Sequence, residues 1–127
     1  MAEHTVKKIL IVDDEVDFVE ITSAMLGFYD YNVVAFTNPA EVTDAIQKEV
    51  FSLIVTDLMM PQINGFQLIE KIRALANYKE TPIIVLSAKT LSDEERKFIL
   101  KNKVNLIVKP FEPQGLVDQI QNLLTSP

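Results

Sequence analysis

The sequence predicts an α/β protein with a doubly wound, five-stranded parallel sheet and helices on both faces. Five short runs rich in β-branched residues are apolar on both faces, and segments with helical spacing lie between them. A strand that is buried on both faces is typical of a parallel sheet, and regular alternation implies right-handed crossovers. The runs are KKILIV (7–12), NVVAF (32–36), SLIVT (52–56), PIIVL (82–86) and NLIV (105–108).

Each strand is followed by a predicted helix, in which apolar residues recur every three or four positions and would form one buried stripe. The first stripe consists of Phe18, Ile21, Met25 and Phe28. The second, third and fifth consist of Val42 and Ile46; Leu68, Ile72 and Leu75; and Leu116, Ile120 and Leu123. The fourth helix, from about 93 to 102, has a thinner apolar face made of Phe98 and Ile99.

Two helices also have recognisable start signals. Asn38 is predicted to cap the second helix, with Pro39 at its first position and Glu41 at its third. Ser92 and Glu95 have the spacing of a capping box at the start of the fourth helix.

Composition narrows the functional classes. The 127 residues fit one domain, 48% of them are hydrophobic, and the net charge of −6 argues against direct nucleic-acid binding. With no cysteine and a single histidine, His4, the chain cannot form a thiolate zinc site or a catalytic triad.

No run reaches the ~18 apolar residues that cross a bilayer, and the N-terminus lacks the apolar core of a signal peptide. We therefore expect a cytoplasmic protein with no membrane association.

Polar residues stand where the predicted strands end. Asp13 and Asp14 end the first strand, Asp57 the third, Ser87 the fourth and Lys109 the fifth. In a doubly wound fold the functional site lies outside the carboxyl ends of the strands. One such Asp is usually a turn residue or a helix cap, but turn chemistry does not readily explain all five residues together.

Three carboxylates at one edge of a sheet repel one another. At an effective dielectric of ~20, two like charges ~4 Å apart cost about 4 kcal/mol, so either a cation binds or one group stays protonated. Oxygen ligands without His or Cys favour Mg²⁺. A carboxylate surrounded by Mg²⁺, the ammonium group of Lys109 and the hydroxyl of Ser87 is equipped to accept a phosphoryl group.

Four motifs then indicate a family. VDDE (12–15), TDLMMP (56–61) with Gly65, LSA (86–88) and VKPF (108–111) resemble the receiver domain of two-component response regulators. The resemblance covers essentially the whole chain, with the motifs in the family's order and spacing. It implies a flavodoxin-like sheet of order 2-1-3-4-5 and a single receiver domain over residues 1–127.

The resemblance also implies a metal site and a phosphoacceptor. Asp57 would take a phosphoryl group from a phosphohistidine on a sensor histidine kinase or a histidine phosphotransfer protein. Asp14, Asp57 and the backbone carbonyl of Met59 would bind Mg²⁺ directly, and Asp13 would bind it mainly through a water molecule. Met60, Pro61 and Gly65 would shape the loop after Asp57, because Pro and Gly set turns and helix starts.

The resemblance gives roles to two further side chains. Lys109 would pair with a phosphoryl oxygen, and the hydroxyl of Ser87 would donate a hydrogen bond to the phosphoryl group. The chain departs from the family at Leu106. The family usually has Tyr or Phe at this position, and the ring rotates inward when the Ser or Thr hydroxyl moves towards the phosphoryl group. The only chemistry expected is self-phosphorylation and self-dephosphorylation, so the chain is not predicted to be an enzyme.

The output surface would consist of the fourth helix, the fifth strand and the fifth helix, which would contact a downstream partner or an output domain. Four basic residues there form either a solvated helix face or part of that docking surface: Arg96, Lys97, Lys101 and Lys103.

Three alternatives remain open. A degenerate receiver would keep the fold and act by phosphorylation-independent binding. An aspartyl-nucleophile phosphatase typically needs a second Asp two residues after the nucleophile, where this chain has Met59. A flavin or nucleotide binder needs a Gly- or Ser/Thr-rich loop after the first strand, where this chain has the acidic segment DDEVD.

Overall fold

The computed structural model describes residues 7–58, 65–88, 90–108 and 112–125. Five strands form one sheet in the order β2-β1-β3-β4-β5, and every neighbouring pair is parallel. The strands are β1 Lys8–Val12, β2 Asn32–Phe36, β3 Leu53–Asp57, β4 Ile83–Ser87 and β5 Val104–Val108. The α-helices are α1 Val16–Phe28, α2 Val42–Lys48, α3 Gly65–Ala74, α4 Asp93–Lys101 and α5 Pro113–Thr125. This architecture confirms the predicted fold class and strand order.

The sheet separates two hydrophobic clusters because successive side chains of a strand point to opposite faces. Leu10 and Val12 pack on one face with residues of α2, α3 and α4. Ile9 and Ile11 pack on the other face with residues of α1 and α5. The central strands β3 and β4 are buried at every position, whereas the edge strands β2 and β5 are partly exposed. In the described ranges, no helix has the length and apolarity needed to cross a bilayer.

Most of the predicted helix stripes are confirmed, but that of α1 is not. The residues at the centres of the α2, α3 and α5 stripes are buried: Val42, Ile46, Leu68, Ile72, Leu116 and Ile120. In α1, Ile21 is 54% exposed and Phe28 is 89% exposed. The buried stripe of α1 instead consists of Val19, Thr22 and Leu26, with Phe18 and Met25 partly buried beside it. Helix α1 is apolar over most of its circumference, so the spacing of its apolar residues is compatible with either of two neighbouring buried stripes. Only packing on the sheet distinguishes them.

The two start signals have different outcomes. The capping box of α4 is present: Ser92 Oγ accepts from the Glu95 N–H at 3.1 Å, and Glu95 Oε1 accepts from the Ser92 N–H at 2.8 Å. Asn38 Oδ1 accepts from the Ala40 N–H at 3.0 Å, as a cap should. However, Pro39–Glu41 forms a 3₁₀ turn and α2 begins only at Val42, so Asn38 caps the 3₁₀ turn rather than α2 itself.

Arg73 joins three segments at the end of the sheet opposite the predicted site. Its Nε donates to the Asn102 carbonyl at 2.9 Å and its Nη2 donates to the Lys103 carbonyl at 3.3 Å, so it holds the end of α4. Its Nη1 donates to the carbonyls of Tyr78 and Thr81, just before β4. One charged group therefore satisfies four backbone acceptors, and hydrogen bonds from a charged donor are the stronger kind.

We expect Arg73→Met to lower the free energy of unfolding by about 2–3 kcal/mol, because the variant keeps an apolar stem but leaves these carbonyls without their charged donor. Chemical denaturation measures the change. The matched control is Arg96→Met, since Arg96 is exposed on α4, and it should change stability by less than about 0.5 kcal/mol. Equal effects of the two substitutions would contradict the role given to Arg73.

Tyr78 is expected to make the fold sensitive to alkaline pH. Its hydroxyl is buried, donates to the Glu49 carbonyl at 2.7 Å and accepts from the Phe51 N–H at 3.2 Å. Burial raises the pKa of Tyr78, and Glu49 adds to the increase while the Phe51 hydrogen bond opposes it. A raised pKa in the folded state means that the neutral hydroxyl stabilises the fold below the ordinary pKa of about 10. That stability is lost as pH rises through the folded-state pKa.

Tyr78→Phe is therefore expected to lower the free energy of unfolding by about 1–3 kcal/mol at pH 8, because two buried backbone groups lose their partner. It should also reduce the further loss of stability as pH rises above about 10. Denaturant titrations at several pH values test both effects. Tyr29→Phe, at an exposed position, should retain the wild-type pH dependence. If Tyr78→Phe lost as much stability as the wild type at high pH, another group would be responsible.

Candidate functional site

The sheet brings three carboxylates together at its carboxyl edge. β1 and β3 are parallel neighbours, with Val12 opposite Thr56. Asp13 and Asp14 directly follow β1, and Asp57 is the last residue of β3. One carboxylate oxygen from each of the three residues lies within 4.8 Å of the others. This is the acidic cluster that the sequence predicts.

The three acids differ in their exposure to solvent. Asp13 is 0% exposed and Asp57 is 6% exposed, whereas Asp14 is exposed. Asp13 Oδ1 accepts from the Glu15 N–H at 2.9 Å, and the Asp13 N–H donates to the Phe36 carbonyl at 3.1 Å. Asp13 thus shapes the turn between β1 and α1 as well as contributing negative charge. The site has a buried acidic floor and one acid at its mouth.

The charges and the geometry of this cluster suit a hard divalent cation. At an effective dielectric of ~20, two carboxylates ~5 Å apart repel by about 3 kcal/mol, and a bound cation removes that cost. Mg²⁺ takes oxygen ligands at about 2.1 Å, so ligands on opposite sides of the ion are about 4 Å apart. Carboxylate oxygens within 4.8 Å of one another lie close enough to be ligands of one such ion. Asp13, Asp14 and Asp57 therefore fit Mg²⁺.

Ser87 reaches the same edge from β4. It is the last residue of that strand and is 1% exposed. The Leu58 N–H donates to the Leu86 carbonyl at 2.9 Å, which keeps the end of β3 against the end of β4. The structure thus brings Ser87 to the edge that carries the acidic cluster. Lys109 and the Met59 carbonyl lie outside the described residues, so their predicted roles stay predictions.

Gly65 is required for a reason that the motif does not reveal. The sequence suggests that it sets the turn after Asp57, but no glycine in the described ranges has a positive φ. A Cβ at Gly65 would instead lie 2.8 Å from the Leu58 Cα and 2.9 Å from the Asp57 carbonyl oxygen. The Gly65 N–H donates to the Leu58 carbonyl at 2.7 Å. The first residue of α3 therefore packs directly on the backbone that follows Asp57.

The three elements of the predicted output surface, α4, β5 and α5, all lie in the described ranges. Leu106 is partly buried and packs against the cluster on the α2–α3–α4 side of the sheet. Arg96, Lys97 and Lys101 are exposed on α4. Lys103 Nζ lies 3.1 Å from Glu80 Oε1 in an exposed ion pair. These positions are compatible with either a solvated face or a docking surface.

The fold and the acidic edge together define the receiver class, and the chain belongs to the response regulator receiver domain family, whose model matches residues 9–121. The response regulator SaeR of Staphylococcus aureus is 32% identical over 117 residues, which are 92% of this chain and 50% of SaeR. The chain thus spans about half the length of the curated relatives it matches.

Solved structures give the same assignment. The chemotaxis response regulator CheY4 of Vibrio cholerae is 31% identical with a TM-score of 0.84, over 94% of this chain and 100% of that chain. The receiver domain of the sensor histidine kinase PA1611 from Pseudomonas aeruginosa is 25% identical with a TM-score of 0.81, over 96% of this chain and 100% of that chain. The PA1611 structure has a magnesium ion coordinated in its active site cleft.

Proposed function

We propose that this chain is a working phosphoacceptor. Asp57 accepts a phosphoryl group from a phosphohistidine on a sensor histidine kinase or a histidine phosphotransfer protein, in a reaction that requires Mg²⁺. The observation that carries the proposal is the acidic cluster of Asp13, Asp14 and Asp57, with Asp57 in its buried part. The magnesium ion in the related PA1611 receiver supports the choice of metal.

The residues have distinct roles in this reaction. A carboxylate oxygen of Asp57 forms a bond to phosphorus while the P–N bond of the donor breaks. The electron pair of that bond stays on the imidazole nitrogen, which takes up a proton. Bound Mg²⁺ supplies positive charge for the phosphoryl oxygens. Asp14, Asp57 and the Met59 carbonyl would hold the ion, and Asp13 would act through water.

Two more groups recognise the transferred phosphoryl group. Lys109 pairs with one phosphoryl oxygen, and the hydroxyl of Ser87 donates to another. The low exposure of Ser87 and of Asp57 supports this role, because a hydrogen bond made away from bulk water is stronger. We expect the hydroxyl of Ser87 to swing towards the phosphoryl group and thereby to favour a second conformation of the molecule.

The output is proposed to act through the surface formed by α4, β5 and α5. A downstream partner or an output domain would bind there. The exposed basic residues of α4 suit an acidic protein surface, and the net charge of −6 argues against nucleic acid. SaeR is a response regulator and PA1611 is a sensor histidine kinase. We propose a cytoplasmic location for a chain with this role, and we propose that the chain does not act as an enzyme on a separate substrate.

The test is the intact mass of the protein after incubation with acetyl phosphate, with Mg²⁺ and with a chelator in its place. We expect a gain of one phosphoryl group per chain with Mg²⁺ and essentially none with the chelator. The chelated sample is the control for chemical acylation. No gain by a folded protein that binds Mg²⁺ would favour the degenerate receiver. Multiple turnover of acetyl phosphate without accumulation of phosphoprotein would favour the phosphatase.

A further inference from the structure

Thr56 places a hydroxyl group inside the buried strand β3. Its side chain is fully buried between those of Ile54 and Leu58 on the same face of the sheet, which belong to the cluster packed under α2, α3 and α4. A buried hydroxyl costs free energy unless it is hydrogen-bonded, and Val has nearly the same shape without that cost. The hydroxyl of Thr56 has such a partner, because its Oγ1 donates to the Asp57 carbonyl at 2.9 Å.

With that hydrogen bond, both polar groups of the peptide between Asp57 and Leu58 have partners. The carbonyl of this peptide accepts from Thr56, and its N–H, on Leu58, donates to the Leu86 carbonyl at 2.9 Å. The start of α3 packs on the same carbonyl, because Gly65 has no Cβ. With both polar groups of the peptide held, the backbone can rotate little about the Cα–C bond of Asp57.

Because the peptide group after Asp57 is anchored to β4, rotation about that bond would move the Asp57 side chain relative to Asp13 and Asp14. The carboxylate oxygens of the three residues lie within 4.8 Å of one another, and they must stay close to share one ion. Mg²⁺ demands nearly ideal octahedral geometry, so the spacing between these carboxylates controls its affinity. Groups that orient metal ligands typically affect metal affinity by 10- to 100-fold.

We propose that Thr56 is a positioning residue for the Mg²⁺ site, because its hydroxyl fixes the peptide group between Asp57 and Leu58. The inference rests on the proposed function. It assigns Thr56 no contact with the metal or the phosphoryl group. Thr22 provides a matched comparison: it is also fully buried, but among the described residues its Oγ1 has no hydrogen-bond partner.

The experiment compares Thr56→Val, Thr56→Ser and Thr22→Val with the wild type. Calorimetric titration gives the Mg²⁺ dissociation constant, and hydrogen exchange of the Leu58 amide is measured in the metal-free protein. We expect Thr56→Val to weaken Mg²⁺ binding about tenfold and to accelerate Leu58 exchange. Thr56→Ser, which keeps the hydroxyl, should stay within about twofold of the wild-type dissociation constant, as should Thr22→Val.

Three results would overturn the inference. They are wild-type Mg²⁺ affinity in Thr56→Val, an equal loss of affinity in Thr56→Ser, and a wild-type protein that does not bind Mg²⁺. Phosphorylation by acetyl phosphate is recorded on the same samples. A wild type that binds Mg²⁺ but takes up no phosphoryl group would refute the proposed function alone, and the comparison of Mg²⁺ affinities would still decide the role of Thr56.

Discussion

Replacing Asp57 by Asn is expected to abolish phosphoryl uptake from acetyl phosphate while making the metal-free protein more stable. The amide has no anionic oxygen to form the bond to phosphorus, so no phosphorylated species should be detected by intact mass. The same change removes one of three carboxylates whose oxygens lie within 4.8 Å of one another. Relief of that repulsion should raise the free energy of unfolding by about 1–2 kcal/mol without metal.

In the presence of Mg²⁺, the wild type should instead be more stable than Asp57→Asn. An ion that binds only the folded state stabilises it, and we expect the wild type to bind Mg²⁺ more tightly than a variant that lacks one carboxylate. Melting temperatures of both proteins should therefore be measured in chelator and in saturating Mg²⁺.

Asp118→Asn is the control for Asp57→Asn, since Asp118 is exposed on α5, where Gln114 Nε2 donates to its Oδ1 at 2.9 Å. It should retain phosphorylation and respond to Mg²⁺ as the wild type does. Phosphoryl uptake by Asp57→Asn would place the acceptor elsewhere. Reduced stability of Asp57→Asn in chelator would show that the cluster does not destabilise the metal-free fold.

Among the Gly→Ala substitutions at Gly27, Gly65 and Gly115, Gly65→Ala is expected to have the largest effect on stability. The added Cβ would meet the Leu58 Cα at 2.8 Å and the Asp57 carbonyl oxygen at 2.9 Å, and both are backbone atoms. Because neither can rotate away, α3 must shift from the end of β3. We expect a loss of about 3 kcal/mol in the free energy of unfolding and weaker Mg²⁺ binding, because the displaced backbone follows Asp57.

Gly115→Ala is the matched control for this methyl group. A Cβ at Gly115, in α5, has no atom within 4 Å, so the substitution should raise stability by about 0.5–1 kcal/mol through helix propensity. The two substitutions are thus predicted to change the free energy of unfolding in opposite directions. Denaturation gives the stabilities, and calorimetry gives the Mg²⁺ affinities. The packing argument would be contradicted if both substitutions changed stability in the same direction, or if Gly65→Ala left Mg²⁺ binding unchanged.

The sequence by itself determined the elements of this fold and much of its site. Runs of β-branched residues define strands, and buried strands in alternation with helices require a parallel sheet. Since the carboxyl ends of parallel strands meet at one edge, Asp13, Asp57 and Ser87 could be placed together from their positions at strand ends. The strand order had to come from the family resemblance, because alternation alone is compatible with several orders.

The tertiary structure decided what depends on contacts between distant segments. Helix α1 buries Val19 rather than Ile21 because the sheet selects one of two apolar stripes. Gly65 is required by a backbone contact with Leu58, not by its own dihedral angles. Arg73 binds carbonyls that lie up to 30 positions away in sequence. A periodic pattern reports how one segment repeats along its own axis, so it contains no information about which atoms of another segment will lie against it.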